Sequence, residues 1–508
     1  MESMELTTSK NAPLAMDAHS FAEAGHKLVD KIAAFLNDLP DKPVTRGEQP
    51  SQIRRLLGEN SLPVNGLPAD TLLNEASDLL FEHSLFNGHP SFMGYITSSA
   101  TPIGALADML ASAVNPNTGA YILSPVATEI ELQTIKWLGE MIGFPGNGGI
   151  FVSGGNMANF IGFLAARKAK ADWNVRKEGL KSVNAFHSHL LVYCAKGTHT
   201  WIEKAADLFG LGTDAIRWID VNEYQQMDTA KLDYQITKDR AYGYSPFLVV
   251  GTAGSVGTGA VDPLEEISII AKHHNCWFHV DGAYGAPAAL LPENEKLFRG
   301  LSEADSVAID PHKWLYSPLE AGCILVKNET HLTDAFSFHP EYFNFDGSAE
   351  DPVVNFYDYG LQNSRGFRAL KVWLAIRQAG RNGYRKMIRK DIDLAQSLFE
   401  LAGSEEELEA VSCNLSITTF RFVPKNLRVD LMEDESYLNT LNEKLLNVLQ
   451  ADGRVFLSNA VIDNKYCLRA CIVNFRTTFD HLMELVQVVL TEGRRIDAQL
   501  RGQVKDKR

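Results

Sequence analysis

The sequence predicts an α/β protein built on a mainly parallel sheet, followed by a smaller C-terminal α+β domain. Three observations carry that reading. Between about residues 101 and 373, short Val/Ile/Leu-rich runs alternate with helix-length segments, at 149–152, 190–194, 247–251, 277–280, 307–309 and 322–326. This is the rhythm of βαβ units, whose right-handed crossovers cover a parallel sheet on both faces. Two of the runs stop at charge: Trp277-Phe278-His279-Val280 leads into Asp281, and Ser306-Val307-Ala308-Ile309 leads into Asp310-Pro311-His312-Lys313. After Ala379-Gly380 the rhythm changes, and helices and strands mix without the regular alternation.

The elements follow in chain order. A polar opening precedes helical spacing of apolar residues over 21–39, then a Pro- and Gly-punctuated stretch over 40–68. The alternating region comes next. Beyond residue 380 the text reads as a helix through 399, a strand at 416–422, a helix at 437–450, strands at 455–457 and 467–474, and a closing helix near 479–490. The expected division is therefore 1–100 as an N-terminal helical segment, 101–373 as the large domain and 374–508 as the small one.

Composition narrows the function classes. With 508 residues, 45% apolar and 22% charged, the chain is an ordinary globular sequence. A net charge of −15 opposes nucleic acid and anionic membranes as partners. The six cysteines, Cys194, Cys276, Cys323, Cys413, Cys467 and Cys471, lie mostly in apolar runs without Cys-x-x-Cys spacing or His partners, so they predict buried free thiols and no metal site. The first residues lack a basic-then-apolar secretion pattern, and no apolar run is long enough to span a bilayer. The expected location is the cytoplasm.

Strands of a parallel sheet open at their carboxyl ends into the crevice where cofactors bind. A carboxylate (Asp281) and an amine (Lys313) at two such ends suit pyridoxal 5'-phosphate, which takes a lysine nitrogen as a Schiff base and a carboxylate opposite its protonated ring nitrogen. The glycine turn Ser153-Gly154-Gly155-Asn156-Met157-Ala158-Asn159 lies between a strand and a helix. Small residues there let backbone N–H groups approach a phosphate at the helix's positive end. It matches neither the Walker pattern nor the three-glycine dinucleotide pattern. His199, in Lys196-Gly197-Thr198-His199-Thr200-Trp201, sits where an imidazole can stack on a pyridine ring. Each has a plain alternative: a tight turn for the glycines, a surface or core histidine, a helix N-cap for Asp281, and a solvated lysine for Lys313.

Taken together, these residues resemble the pyridoxal-phosphate-dependent group II amino-acid decarboxylases. The resemblance also rests on His89-Pro90-Ser91-Phe92-Met93-Gly94-Tyr95 and Ser124-Pro125-Val126-Ala127-Thr128-Glu129, and it covers nearly the whole chain after about residue 20. It implies an aspartate-aminotransferase-like, type I fold with a seven-stranded sheet. It also implies a homodimer, with the N-terminal segment packing on the partner and active sites built from both subunits. By the same resemblance Lys313 is the Schiff-base lysine, Asp281 the ring-nitrogen partner, His199 the stacking histidine and Ala283 the residue under the other ring face. Gly155 and Asn156 fall at the phosphate turn, and His312 adds a phosphate or substrate hydrogen bond. Tyr342, in Phe338-His339-Pro340-Glu341-Tyr342-Phe343, takes the place of the loop tyrosine that returns a proton after CO2 leaves. Arg469 resembles an arginine that meets the substrate carboxylate or its surroundings.

For substrate, Tyr95 and Ser98 resemble the aromatic-amino-acid branch. Asn117 and Gly119, with Thr252-Ala253-Gly254-Ser255 and Ala260-Val261-Asp262, echo the enzymes for glutamate and cysteine sulfinate. The first pocket segment holds no arginine or lysine to pair a side-chain carboxylate. The reading leans to an aromatic L-amino acid such as tyrosine, dihydroxyphenylalanine or tryptophan. An acidic or diaminobutyrate-like substrate is the alternative, with a phospholyase or aminotransferase of the same fold further off.

Overall fold

The computed structural model describes residues 12–58, 61–180, 189–338, 352–425, 427 and 432–505. Among these, seven strands form the main sheet: β1 Gly148–Val152, β2 Leu190–Ala195, β3 Ile216–Ile219, β4 Ser245–Thr252, β5 Trp277–Asp281, β6 Ser306–Ile309 and β7 Gly322–Val326. Their order is β1-β7-β6-β5-β4-β2-β3. β7 runs antiparallel to both neighbours, while β6, β5, β4, β2 and β3 pair in parallel. β1, β2, β5, β6 and β7 are buried along their whole length, as continuous apolar strands covered on both faces must be.

A second, antiparallel sheet of β8 Leu408–Asn414, β9 Ile417–Phe422, β10 Ser458–Ile462 and β11 Lys465–Cys471 has the order β10-β11-β9-β8. Helix Met432–Asp452 and helix Phe479–Lys505 pack with it around a separate core that includes Leu441, Leu445, Leu468 and Leu485.

Several sequence expectations need correction. The strand expected at 455–457 begins later, at Ser458; Phe456 instead forms one isolated parallel bridge with Phe92 and stacks on its ring at 5.2 Å. The strand expected at 467–474 runs Lys465–Cys471. β3 and β8 were not anticipated. β3 is a four-residue edge strand with Arg217 half-buried and Trp218 exposed, and β8 is half-exposed, so neither has the apolar run that marks a buried strand. The stretch over 40–68 contains helix Pro50–Leu57, capped by Gln49 and Gln52. The expected helix after Gly380 is the second half of one long element, Ala369–Ser404, broken where Gly380 adopts φ 63° and ψ 173°.

The N-terminal segment is tied to the small domain of the same chain. Val44, Phe92 and Phe456 form a buried cluster, Met93 N–H donates to the Phe456 carbonyl at 2.9 Å, and Cys471 N–H donates to the Met93 carbonyl at 2.8 Å. None of the described helices is long and apolar enough to cross a membrane, and the described residues hold no cluster of metal-ligating side chains.

Candidate active site

The loops leaving β1, β2, β4, β5 and β6 surround a cavity of about 460 Å³ at the carboxyl edge of the sheet. All seven residues expected at a cofactor, Gly155, Asn156, His199, Asp281, Ala283, His312 and Lys313, line it. Parallel strand direction brings them together, because residues distant in sequence end on the same edge.

Asp281 closes β5, and its buried carboxylate is held on both oxygens. Oδ2 accepts from Trp201 Nε1 at 2.7 Å, and Oδ1 accepts from the Ala283 backbone N–H at 3.2 Å. Trp201 opens helix Trp201–Leu208, two residues after His199, so one short segment supplies both an imidazole to the cavity and a donor to its carboxylate. Sequence reading missed Trp201. The available signal was an indole N–H on the buried face of an amphipathic helix, which needs a buried acceptor. Burial pushes His199 below the usual imidazole range, against the pull of nearby Asp281. It also pushes His312 down, against Asp310. Both rings therefore favour the neutral form.

Lys313 lies on the turn after β6, with Nζ 3.0 Å from Asp310 Oδ2. Asp310, the first residue of Asp310-Pro311-His312-Lys313, carries no local sequence signal of its role. It is almost fully buried, Oδ1 has no hydrogen-bond partner among the described residues, and its backbone N–H donates to the Ala283 carbonyl at 3.1 Å. It thus joins the β5 and β6 loops and holds the free amine in the cavity. The glycine turn is close-packed: a Cβ on Gly155 would sit 2.7 Å from Asp310 Oδ2, and one on Gly322 would sit 2.5 Å from Gly154 Cα. Helix Gly155–Lys170 starts at this turn, and its first N–H groups lack intrahelical acceptors. A buried carboxylate, a free amine beside an orphaned carboxylate oxygen and a helix start suited to an anion, all facing one cavity, fit pyridoxal 5'-phosphate.

The four residues expected at the substrate do not line this cavity. Tyr95 is 57% exposed, with its ring 6.2 Å from that of Phe456. Ser98 is one step removed, its hydroxyl donating to the His312 carbonyl at 3.0 Å. Asn117 uses its side-chain oxygen to accept from the backbone N–H groups of Gly119 and Arg365, both at 3.0 Å. A Cβ on Gly119 would lie 2.0 Å from the Asn363 carbonyl oxygen, so the fold itself requires a small residue there. Arg469, on β11, is buried, donates from Nη1 to Ser458 Oγ at 2.8 Å, and leaves Nε and Nη2 without partners among the described residues. Tyr342 lies outside the described residues. The cavity also includes Ile96, Met157, Val256 and Leu319, which sequence reading did not place there.

Residues 50–423 match the pyridoxal-dependent decarboxylase conserved domain. An aromatic-L-amino-acid decarboxylase of Bacillus atrophaeus is 33% identical, with 94% of this chain and 96% of the relative covered. A phenylacetaldehyde synthase of a Rosa hybrid cultivar is 30% identical, with 94% of each chain covered. Among solved structures, an Oryza sativa TDC with PLP and tryptamine superposes with a TM-score of 0.86 at 26% identity, covering 96% of this chain and 99% of that one.

Proposed function

The chain belongs to the pyridoxal-dependent decarboxylases, and from that premise we propose that it converts an aromatic L-amino acid to its amine and CO2. The observation that carries the substrate class is the cavity wall. Ile96, Met157, Val256 and Leu319 offer apolar surface, Lys313 is the one amine among the described lining residues, and no guanidinium is among them. A side-chain carboxylate would meet Glu320 and Asp310 there without a cationic partner, so glutamate or cysteine sulfinate fits worse. The relatives named for aromatic-L-amino-acid decarboxylation and phenylacetaldehyde synthesis support the same class.

In this reading Lys313 would hold the cofactor through its amine, with Asp281 as the carboxylate for its ring nitrogen; His199 and Ala283 would contact its ring, and Gly155, Asn156 and His312 would hold its phosphate. When bound, pyridoxal phosphate supplies an electron-withdrawing ring that takes up the electron pair released as CO2 leaves. Trp201 and the Ala283 N–H keep the Asp281 carboxylate oriented, so its charge is preorganised. Asp310 keeps Lys313 Nζ at the cavity. The apolar wall excludes water from a leaving carboxylate. Tyr342 returns a proton to Cα, and Arg469, with two unused donors, meets the substrate carboxylate or its surroundings. Tyr95 and Ser98 act at the pocket's edge, and Asn117 acts by shaping its turn.

A homodimer accompanies this reading, with residues 1–100 packing on the partner. Leu106, Met109, Leu110 and Val114 on helix Pro102–Val114, with Ile122, Leu123 and Val126, leave an apolar surface of the kind that a second subunit covers. Six free cysteines suit a reducing compartment, and we place the protein in the cytoplasm. The deciding experiment is CO2 release across a panel of L-amino acids. Turnover of tyrosine, dihydroxyphenylalanine or tryptophan is expected to exceed that of glutamate, cysteine sulfinate and diaminobutyrate; the reverse order would overturn the substrate assignment.

A further inference from the structure

The turn over residues 310–317 that carries Lys313 is held from outside the main sheet. Beyond the Gly380 break, helix Ala369–Ser404 runs into the small-domain core, where Leu394, Ala395, Leu398 and Ala402 are buried. From this half, Asp391 reaches back to the turn: its Oδ2 accepts from Trp314 Nε1 at 3.0 Å and from the Tyr316 hydroxyl at 2.7 Å. Two helical turns earlier, the Tyr384 hydroxyl donates to the Leu315 carbonyl at 3.2 Å. Each of the three residues following Lys313 is thereby tied to one helix.

The grip falls where the backbone most needs it. Tyr316 adopts φ 54°, a left-handed conformation uncommon for an aromatic residue, and its N–H donates to the Lys313 carbonyl at 3.2 Å. Trp314 stacks on Tyr284 at 5.0 Å, and Tyr284 both lines the cavity and accepts at its hydroxyl from the Ser416 N–H at 3.0 Å. Asp391 is fully buried, and its Oδ1 has no partner among the described residues. An apolar side chain would avoid that desolvation cost, so packing alone does not account for an acid at this position.

We propose that Asp391 is a positioning residue: by fixing Trp314 and Tyr316 it sets where Lys313 presents its amine, and it couples that position to the small domain. The proposal rests on reading Lys313 as the amine that holds the cofactor. Asp391→Ala, Asp391→Asn and Lys313→Ala are compared with the wild-type holoenzyme. The measurements are kcat and KM on an accepted amino acid, pyridoxal phosphate affinity by spectral titration after cofactor removal, and folded content by circular dichroism. Asp391→Ala is expected to stay folded, bind cofactor more weakly and lose about 10²-fold in kcat, the scale of a displacement of about 1 Å, with little change in KM. Asp391→Asn keeps one acceptor oxygen for both donors and is expected to recover most of both losses.

A folded Asp391→Ala with wild-type kcat and cofactor affinity overturns the proposal. So does Asp391→Asn matching Asp391→Ala in both measurements. If Asp391→Ala does not fold, the double variant Trp314→Phe with Tyr316→Phe, which keeps the rings and removes both donors, is read against the same outcomes. Lys313→Ala separates the two premises. Full turnover by that variant refutes the reading of Lys313, whereas an inactive Lys313→Ala beside a wild-type-like Asp391→Ala refutes only the positioning role.

Discussion

Trp201 Nε1 donates to Asp281 Oδ2 at 2.7 Å, across 80 residues of sequence and within a fully buried setting for the indole. The helix that starts two residues after His199 therefore orients the carboxylate at the end of β5.

Replacing Trp201 by Phe keeps most of the packing and deletes this donor. A hydrogen bond to a charged group contributes about 1.5–3 kcal/mol, which corresponds to roughly 10- to 10²-fold in affinity. Spectral titration of Trp201→Phe with pyridoxal phosphate should show a loss of that size. An unchanged affinity would mean that Asp281 does not depend on the indole.

Tyr342→Phe removes the hydroxyl assigned to protonate Cα. CO2 should still be released, while the remaining product shifts from amine toward aldehyde, with dioxygen and water consumed and ammonia and hydrogen peroxide released. The check is amine against aldehyde by chromatography alongside an oxygen electrode. Undiminished amine yield would remove Tyr342 from the mechanism.

Gly119→Ala tests whether this position shapes the substrate pocket or the fold. Its Cβ would meet the Asn363 carbonyl oxygen at 2.0 Å, an overlap with backbone that cannot be relieved by a rotamer change. Overpacking of this kind costs about 1–3 kcal/mol, so the melting temperature should fall. Per folded molecule, the order of preference among amino acids should stay the same. A changed order with an unchanged Tm would return Gly119 to the pocket.

The buried Asp391 predicts a pH dependence of stability. Burial pushes its carboxyl from 3.8 up to about 7, against the hydrogen bonds from Tyr316 and Trp314. A carboxyl raised on folding keeps its proton in the native state after the unfolded chain has released it. The cost of ionising it is therefore absent below 3.8, grows as pH rises toward about 7, and is complete above that. Asp391→Asn cannot ionise, so its Tm relative to wild type should increase between about pH 5 and about pH 8. A pH-independent difference would show that Asp391 does not titrate in this window.

Much of the large domain was legible because its strands are buried on both faces. A run such as Trp277-Phe278-His279-Val280 is mostly apolar and buried from end to end, and this pattern does not depend on what packs against it. β3, with Arg217 half-buried and Trp218 exposed, and the half-exposed β8 carry no such mark. The contacts of the residues expected at the substrate were not legible in the sequence. Asn117 reads as a pocket amide, yet its oxygen is consumed by the backbone of Gly119 and Arg365. No local pattern distinguishes an amide that faces a ligand from one that closes a turn.

By itself the sequence determined the parallel sheet, the chain order of the glycine turn, His199, Asp281 and Lys313, and hence the cofactor, because strand periodicity and the residue types that end each strand are local properties. Only the tertiary structure decided which groups orient them. Trp201 beside Asp281, Asp310 beside Lys313, and Asp391 behind Trp314 and Tyr316 are meetings of a buried donor and acceptor, and two of those three pairs join residues 75 or more apart in the chain. A buried polar atom must find a partner, but which one it finds depends on how the layers pack, a property of the folded whole.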